Sequence, residues 1–234
     1  MVKKKEKLDK KYLEALEKID SAMIATAIDS LDVRDRTAGF ASLKLRCFYP
    51  ELSPIVGYAI TCSEDTTTPR RGPRAGYADL LRAIRAAPKP AILVFKAVGQ
   101  DWTRSCHVGD MMCSLLQRMG VVAVVTDGAV RDINAIQSSA PGFQLFGAGT
   151  VPGAGAYTML DVGITTSIFG LTIAPGDLLH GDANGLVSIP FEAAPKLPAR
   201  VKKIRKYENE FRKFARSSEF SLTEMSKRFG PPWG

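Results

Sequence analysis

The feature that most constrains the fold is a change of hydrophobic period, repeated twice, in the middle of the chain. Residues 91–98 (AILVFKAV) and 121–126 (VVAVVT) are short apolar runs, as expected for buried strands. Residues 109–119 carry apolar side chains at helical spacing, and a second helix is predicted at residues 130–138. Strand, helix, strand, helix in this order predicts an α/β layer with mostly parallel strand pairing.

Upstream of this layer, the sequence predicts a helical start and one more strand. Residues 8–31 are predicted to be helical, with a break near Ser21, which could cap a second helix. The run at 55–62 (IVGYAITC) predicts a strand. Residues 63–76 contain Pro, Gly and three Arg without periodicity and predict a long surface loop, and 77–86 have an apolar helical face.

Downstream, the chain becomes Gly-rich and β-like from residue 143. The dipeptide at 184–185, Asn-Gly, lies between two apolar runs and is a strong hairpin signal. Residues 193–214 predict a basic helix, and 217–234 form a polar tail. The whole chain, residues 1–234, is therefore predicted to be a single α/β domain with helices at both ends.

The net charge of +8 is unevenly distributed along the chain. Residues 1–18 contribute +3 and residues 196–234 contribute +7, while the body between them carries −2. A basic excess confined to the ends argues against a nucleic-acid-binding groove through the core, so we expect no nucleic-acid partner.

Composition also predicts the compartment. No segment approaches the roughly 18 uninterrupted apolar residues of a membrane span, and the N-terminal basic residues are followed by no apolar stretch of a secretion signal. Four cysteines with no CxxC pair suggest reduced thiols. We therefore expect a cytoplasmic protein without a membrane partner.

Two junctions are candidate sites, because functional groups in α/β layers gather at the carboxyl ends of strands and the amino ends of helices. At the first, Gly109 lets the backbone approach a ligand, and free N–H groups around Met111 and Met112 suit a carboxylate or phosphate. At the second, Arg131 is a bidentate anion receptor beside Asp132, whose carboxylate suits a hard divalent cation. Taken singly, such residues are more often a helix cap or a surface ion pair.

The spacing of these residues adds specificity. Asp110 and Arg131 are separated by twenty residues and Asp132 follows directly, within GDMMCSLLQRMGVVAVVTDGAVRD. This pattern, with APGDLLHGDANGLVSIP downstream, resembles the RraA-like family. Within it, the closer resemblance is to the class II pyruvate aldolases that act on 4-hydroxy-4-methyl-2-oxoglutarate and 4-carboxy-4-hydroxy-2-oxoadipate. The resemblance covers roughly residues 20–215 and implies an α/β fold, a swivelling β/β/α sandwich with flanking N- and C-terminal helices.

The resemblance implies a role for each residue at the two junctions. Asp132 would hold Mg²⁺ or Mn²⁺, largely with waters completing the shell, and Arg131 would contact the keto or carboxylate oxygens of a pyruvyl group. The amides around Met111 and Met112 would bind its carboxylate, and Asp110 would position or activate a water acting as acid/base. These groups would stabilise the enolate charge that retro-aldol cleavage builds up.

The resemblance also implies a homotrimer or hexamer with active sites between subunits. A Glu on the C-terminal helix of a neighbouring subunit would approach the metal, and Glu208 is the best match, with Glu210 as an alternative. Two further features have open roles. His107 could assist proton transfer or be a structural histidine, and the Arg-rich loop at 70–74 could be a lid for a dicarboxylate or simply be solvated.

The predicted function is a divalent-metal-dependent aldolase, a carbon–carbon lyase that cleaves 4-hydroxy-2-oxo acids to pyruvate and a second oxo acid. Oxaloacetate decarboxylation is the expected side activity, because it passes through the same enolate. Two alternatives stay open: a non-catalytic RraA-type regulator that binds ribonuclease E, and a related metal-dependent enzyme acting on another small hydroxy or oxo acid. The set of Asp110, Arg131 and Asp132 favours an enzyme, since a regulator does not need it.

Overall fold

The structure is a computed structural model that describes residues 7–69 and 72–230. This part of the chain contains seven α-helices: α1 (Lys10–Leu16), α2 (Ser21–Asp29), α3 (Tyr77–Ala86), α4 (Asp110–Arg118), α5 (Ile133–Ser139), α6 (Leu197–Ala215) and α7 (Leu222–Phe229). The same residues contain twelve strands: β1 (Arg46–Cys47), β2 (Ile55–Asp65), β3 (Ala91–Val98), β4 (Val121–Thr126), β5 (Ala129–Val130), β6 (Gln144–Gly147), β7 (Gly149–Thr150), β8 (Thr158–Val162), β9 (Thr166–Ile168), β10 (Leu171–Ile173), β11 (Leu178–Asp182) and β12 (Gly185–Ile189). Among the described helices, none combines the length and apolar character needed to cross a membrane.

The central sheet has the strand order β1-β6-β4-β3-β2-β11-β12, and β8 pairs with the end of β2. Its middle, β6-β4-β3-β2, is parallel, as the alternation of strands and helices predicts. The flanking strands pair antiparallel, and the predicted hairpin is present as β11–β12, although it turns at Ala183–Asn184 because Gly185 already pairs with Asp182. Because parallel strands point the same way, the carboxyl ends of β2, β3 and β4 meet at one edge.

Helices cover one face of the sheet and a small hairpin covers the other. Helices α3, α4 and α5 bury Leu80, Leu116 and Ile136 against the strands. On the opposite face, β9 and β10 form a hairpin that buries Ile168 and Leu171. Helices α1, α2 and α6 pack together against β2, β11 and β12. This β/β/α layering with helices at both ends of the chain confirms the predicted fold class.

Two element boundaries differ from the prediction, because pairing with distant strands overrides local composition. Strand β2 continues through Asp65, since residues 63–65 pair with both β3 and β8 and therefore leave the predicted loop. Helix α5 starts three residues later than predicted, since Ala129–Val130 pairs with β7 as strand β5. Both differences lie at the edge of the sheet where strands carry polar groups.

The ends of the chain also differ in detail. The predicted break between the first two helices is confirmed, but Asp20 rather than Ser21 is the N-cap of α2. The predicted polar tail contains a helix, α7, which begins after the N-cap Ser221. Its Phe229 packs against Phe214 of α6, with ring centroids 5.9 Å apart, so aromatic contact stabilises a segment whose overall composition is polar.

Asp182 connects the N-terminal helices to the sheet. Its Oδ2 accepts the backbone N–H of Ser21 at 2.7 Å, and its Oδ1 accepts the backbone N–H of Asn184 at 2.8 Å. Burial alone would raise the pKa of Asp182, but the hydrogen bonds from Ser21 and Asn184 outweigh burial and lower the pKa below its ordinary value. The carboxylate therefore stabilises the fold while it is ionised.

Replacing Asp182 with Asn tests this connection. Because its pKa is lowered by folding, the stabilisation is complete above the unfolded pKa of about 3.9 and is lost as the pH falls through the folded pKa. We expect Asp182→Asn to reduce the free energy of unfolding by about 1–3 kcal/mol at neutral pH, and this deficit to shrink in more acidic buffer. Urea unfolding across the acidic range measures the deficit, with the exposed Asp32→Asn as control. A deficit independent of pH would contradict the assignment.

Candidate functional site

A pocket of about 310 Å³ opens beside the N-terminus of α4, at the edge of the sheet where the parallel strands end. Its lining residues are Tyr77, His107, Gly109, Asp110, Met111, Met112, Arg131 and Tyr157. The structure therefore brings most of the predicted site residues into one pocket, although they come from two different strand-to-helix junctions. Asp132 adjoins this group through Arg131.

Gly109 is the N-cap residue of α4, so the first N–H groups of the helix open toward the pocket. Asp110 folds back on this helix, and its Oδ1 accepts the Met111 N–H at 2.8 Å. Within the described residues, the Met112 N–H has no hydrogen-bond partner. One of the two predicted anion-binding amides is therefore free, and the other is engaged by a carboxylate.

Asp132 has a backbone conformation that few side chains adopt. Its φ of 60° and ψ of 31° are left-handed, and its side chain does not cap α5 although it occupies the N-cap position. Its Oδ2 lies 3.2 Å from Nε of Arg131 and 3.4 Å from the backbone N of Asp110. The buried Nε of Arg131 makes no well-directed hydrogen bond, so its pairing with Asp132 is ionic. Backbone strain of this kind concentrates at functional sites.

A missing side chain makes this arrangement possible. A Cβ atom at Gly109 would overlap Oδ2 of Asp132 and would lie 3.1 Å from Nε of Arg131. The φ of Gly109 is −133°, an ordinary extended value, so glycine is required here by space and not by backbone conformation. The two junctions can approach this closely because residue 109 has no side chain.

The donor set can be compared with what a divalent cation requires. Among the described residues, no group of three or more His, Cys, Asp or Glu side chains is placed to hold a metal. Mg²⁺ usually binds through one or two carboxylates and keeps several waters, and Mn²⁺ also favours oxygen ligands. Asp132, with about a third of its side chain exposed and no capping duty, fits a largely hydrated Mg²⁺ or Mn²⁺. The set does not fit a complete protein cage.

The opposite wall contains residues that the sequence patterns do not single out. Tyr77 and Tyr157 line it, and Glu64 lies completely buried at the end of β2. Nδ1 of His107 lies 2.8 Å from Oε2 of Glu64, and its Nε2 lies 2.7 Å from the hydroxyl of Ser105. His107 is thus a buried, hydrogen-bonded side chain that reaches the pocket. Glu64 falls in a stretch whose composition predicts a loop, so no sequence signal marks it.

Two predicted features lie apart from the pocket within this chain. Glu208 is on α6, which packs against α1 and α2, and it pairs with Arg212 at 3.3 Å. Its contribution to a neighbouring subunit's site stays a prediction. In the Arg-rich loop at 70–74, whose role the sequence leaves open, Arg70 and Arg71 lie outside the described residues, and Arg74 forms a surface ion pair with Asp161.

The two cysteines that flank the start of α4 in sequence are poor nucleophiles. Burial raises the pKa of Cys106 to about 11 and the pKa of Cys113 to about 12. Both therefore stay protonated at neutral pH, and the thiol is far less reactive than the thiolate. The reactive or charge-binding groups of the pocket are therefore the carboxylates, the guanidinium, the helix amides, His107 and the two tyrosines.

A family profile described as RraA-like, Aldolase/RraA, matches residues 24–188, which is more than half of the chain and includes both junctions. The chain belongs to the RraA-like family. A curated relative of this chain carries a provisional aldolase name. Membership of the RraA-like family thus confirms the resemblance found in the sequence and the predicted fold. It does not specify the activity.

One relative, from Halalkalibacterium halodurans, carries the provisional name 4-hydroxy-4-methyl-2-oxoglutarate aldolase. It is 37% identical over 112 residues, 47% of this chain and 51% of that protein, so the chain spans about half of the relative's length. Two solved structures share the fold: an uncharacterized protein from Pseudomonas syringae pv. tomato, and RraAS2 of Streptomyces coelicolor, described as an unusual member of the RNase ES inhibitor RraA family. The first has a TM-score of 0.70 at 23% identity over 95% of both chains. The second has a TM-score of 0.69 at 22% identity, over 89% of this chain and 98% of the other.

The close approach at Gly109 yields a stability prediction. We expect Gly109→Ala to reduce the free energy of unfolding by about 1–3 kcal/mol, because the added methyl group forces Asp132 and Arg131 to move. Gly153→Ala is the matched control, since a Cβ there meets no atom within 4 Å, and it should change stability by less than about 0.5 kcal/mol. Chemical denaturation compares the two variants. Equal stabilities, or an undisplaced Asp132 in a crystal structure of Gly109→Ala, would contradict the crowding described here.

Proposed function

We propose that this RraA-like protein is a divalent-metal-dependent aldolase, a lyase that cleaves 4-hydroxy-2-oxo acids to pyruvate and a second oxo acid. The observation that carries the proposal is the convergence of a free helix N–H group, the Arg131 guanidinium and the carboxylates of Asp110 and Asp132 beside one pocket. Such a substrate presents a carboxylate, a keto oxygen and a hydroxyl proton within a few bonds. The name of the Halalkalibacterium relative supports the same reaction class.

The pyruvyl half of the substrate would bind between α4 and Arg131. We assign its carboxylate to the N-terminus of α4, where the free Met112 N–H and the positive end of the helix dipole favour negative charge. The terminal nitrogens of Arg131 donate to no protein group in the described residues, so they are available to the keto oxygen. A planar guanidinium suits two adjacent oxygens.

Cleavage of the C3–C4 bond leaves its electron pair on the pyruvyl half as an enolate, with negative charge on the former keto oxygen. Arg131 would interact more strongly with this charge than with the neutral ketone, which lowers the barrier. Asp110 would position a water that acts as acid/base, using the carboxylate oxygen that the Met111 N–H does not engage. Oxaloacetate decarboxylation is the proposed side activity, since loss of CO₂ leaves the same enolate.

Asp132 would hold the Mg²⁺ or Mn²⁺. When bound, this cation would supply Lewis-acid stabilisation of the developing negative charge. The chain's own contribution is orientation: the left-handed backbone of Asp132 turns its carboxylate away from α5 and toward Gly109 and Arg131. Arg131 then keeps that carboxylate beside the pocket through the 3.2 Å pairing.

Pyruvate formation is the direct test of the proposed activity. Purified protein with Mg²⁺ or Mn²⁺ and 4-hydroxy-4-methyl-2-oxoglutarate or oxaloacetate should release pyruvate, followed with a coupled dehydrogenase. We expect Arg131→Ala to lower kcat/KM by about 100- to 1000-fold, because it removes a donor to the developing oxyanion. Asp132→Ala should abolish the pyruvate formation that added metal supports. Arg118→Ala, at the other end of α4, is the control and should form pyruvate at the wild-type rate.

Each result has a distinct consequence for the proposal. If no divalent metal supports pyruvate formation from either substrate, the proposed aldolase function is wrong. The alternative to test is then a regulator without catalytic activity, by measuring its binding to ribonuclease E. If pyruvate forms but Arg131→Ala and Asp132→Ala remain fully active, the function stands and the assigned site is wrong.

We further propose a cytoplasmic homotrimer or hexamer, in which Glu208 of one subunit approaches Asp132 of its neighbour. All four cysteines are unpaired, which agrees with a reducing compartment. In the described residues Glu208 pairs with Arg212 on the same helix, and it would give up this surface ion pair to approach a metal held by the neighbour's Asp132.

Subunit mixing tests this arrangement. Asp132→Asn and Glu208→Gln proteins should each be inactive alone, because every site lacks one of the two carboxylates. After co-refolding at equal amounts, about a quarter of the sites would combine both intact residues if they come from different subunits of a ring. Pyruvate assays before and after mixing measure the recovery. If both residues serve the same subunit's site, mixing restores no activity.

A further inference from the structure

A buried hydrogen-bond chain lies behind the pocket and has no role in the proposed reaction so far. At its centre is Glu64, which has no exposed surface. Its Oε2 is paired with Nδ1 of His107 at 2.8 Å, and its Oε1 accepts a hydrogen bond from the Tyr77 hydroxyl. Tyr77 and His107 both line the pocket, whereas Glu64 lies behind them. The carboxylate thus joins two pocket residues from the inside.

The direction of each hydrogen bond in this chain can be assigned by starting from a backbone N–H group, which can only donate. The backbone N–H of Cys106 donates to Oγ1 of Thr66 at 3.1 Å, and the Thr66 hydroxyl donates to Oγ of Ser105 at 3.0 Å. The Ser105 hydroxyl is then left to donate to Nε2 of His107, so Nδ1 of His107 carries the hydrogen that Glu64 accepts. With this assignment, every donor in the chain has an acceptor.

The His107 ring is held rigidly in this orientation. It stacks on Phe95, with ring centroids 5.5 Å apart and planes 13° from parallel. A Cβ atom at Gly128 would lie 2.8 Å from Nε2, so that glycine leaves just enough room for the ring. A tightly packed imidazole cannot turn over to offer Glu64 a different nitrogen.

The consequence for Tyr77 is that its single hydrogen points inward. Burial raises the pKa of the Tyr77 phenol far above its ordinary value, and the neighbouring Glu64 adds to that rise, so the group stays protonated. Since the proton is donated to Glu64, the phenol oxygen has only lone pairs left for the pocket. Toward a ligand, Tyr77 is therefore an acceptor.

We propose that the Tyr77 phenol oxygen recognises the hydroxyl group of a 4-hydroxy-2-oxo acid by accepting its hydrogen bond, and that Glu64 and His107 are positioning residues that fix this direction. The inference rests on the function proposed above and adds the recognition of the second half of the substrate. The contact orients the hydroxyl when the substrate binds. Because the phenol keeps its own proton, the hydroxyl proton passes on cleavage to the water that Asp110 positions. Tyr77 selects a hydroxyl group because a carboxylate or keto oxygen at the same position has no hydrogen to donate. The lone pairs of such an oxygen would be repelled by those of the phenol oxygen.

The test compares a substrate that has the hydroxyl with reactions that lack it. Wild-type and Tyr77→Phe proteins are assayed with 4-hydroxy-4-methyl-2-oxoglutarate, with oxaloacetate, and for exchange of the pyruvate methyl hydrogens in D₂O. We expect Tyr77→Phe to lower kcat/KM for the hydroxy acid by about 10-fold while the two hydroxyl-free reactions change by less than about threefold. Tyr12→Phe is the control and should change none of them, because Tyr12 lies on α1 and does not line the pocket.

A second variant separates direction from packing. In Glu64→Gln, His107 still needs an acceptor, so the amide oxygen takes that side and the amide NH₂ meets Tyr77, which must turn its own hydrogen toward the pocket. A donor at this position suits a carboxylate as well as a hydroxyl, so we expect the ratio of kcat/KM for the hydroxy acid to kcat/KM for oxaloacetate to fall, with the phenol still present. Thermal unfolding of both variants establishes that each is folded before the ratios are compared.

The outcomes distinguish this inference from the function on which it rests. Equal losses on all three reactions would assign Tyr77 to pocket shape, and unchanged rates would show that it does not contact the hydroxyl. Either result overturns the inference while the aldolase function stands. If the wild-type protein cleaves no hydroxy acid, the proposed function fails first and this role of Tyr77 fails with it.

Discussion

The contact between Gly109 and Asp132 is the constraint on which the pocket depends. Helices α4 and α5 begin at neighbouring strand ends, and they can approach because one of the two meeting positions has no side chain. This approach holds a guanidinium, two carboxylates and a helix N-terminus within a few ångströms. The cost is a left-handed backbone at Asp132, which the buried contacts of α4 and α5 with the sheet offset.

The parallel register of the sheet supplies the second condition. Strands β2 and β3 stay paired through Asp65 and Val98, so both reach the same edge before the chain leaves the sheet. That extension carries Glu64 to the level of His107, which follows β3 after a short 3₁₀ turn. A buried carboxylate is tolerated there because both of its oxygens have donors. The polar residues at the strand end are thus part of the interior.

Much of the layered body follows from local pattern, and the pocket follows only in part. The alternation at residues 91–138 predicts the parallel centre, because each element there buries a face with its own period. The resemblance of residues 109–132 to the RraA-like family implies that the two junctions form one site. Asp132 was expected inside a helix at 130–138, and its left-handed backbone comes from a strand pairing that no local pattern encodes.

Glu64 and Tyr77 show why the other wall was beyond prediction. Ser63–Glu64–Asp65 has the composition of a loop, and only pairing with two distant strands makes it the end of β2. Tyr77 has the helical position that was predicted, at the start of α3. Its importance depends on a hydrogen bond to Glu64, thirteen positions earlier, on the other side of an intervening loop. Hydrogen-bond direction is a property of the assembled network and not of either segment.

The pocket is therefore made by two stretches of chain that do separate tasks. The stretch from α4 to α5 provides the charge-binding groups, while β2 and the start of α3 provide Tyr77 and the carboxylate behind it. No residue of the second stretch pairs with Arg131 or Asp132 in the described contacts, so Tyr77 can change without removing a contact of either residue. A chain built this way can acquire a new substrate preference by altering the start of one helix, without rebuilding the groups that would carry out bond cleavage.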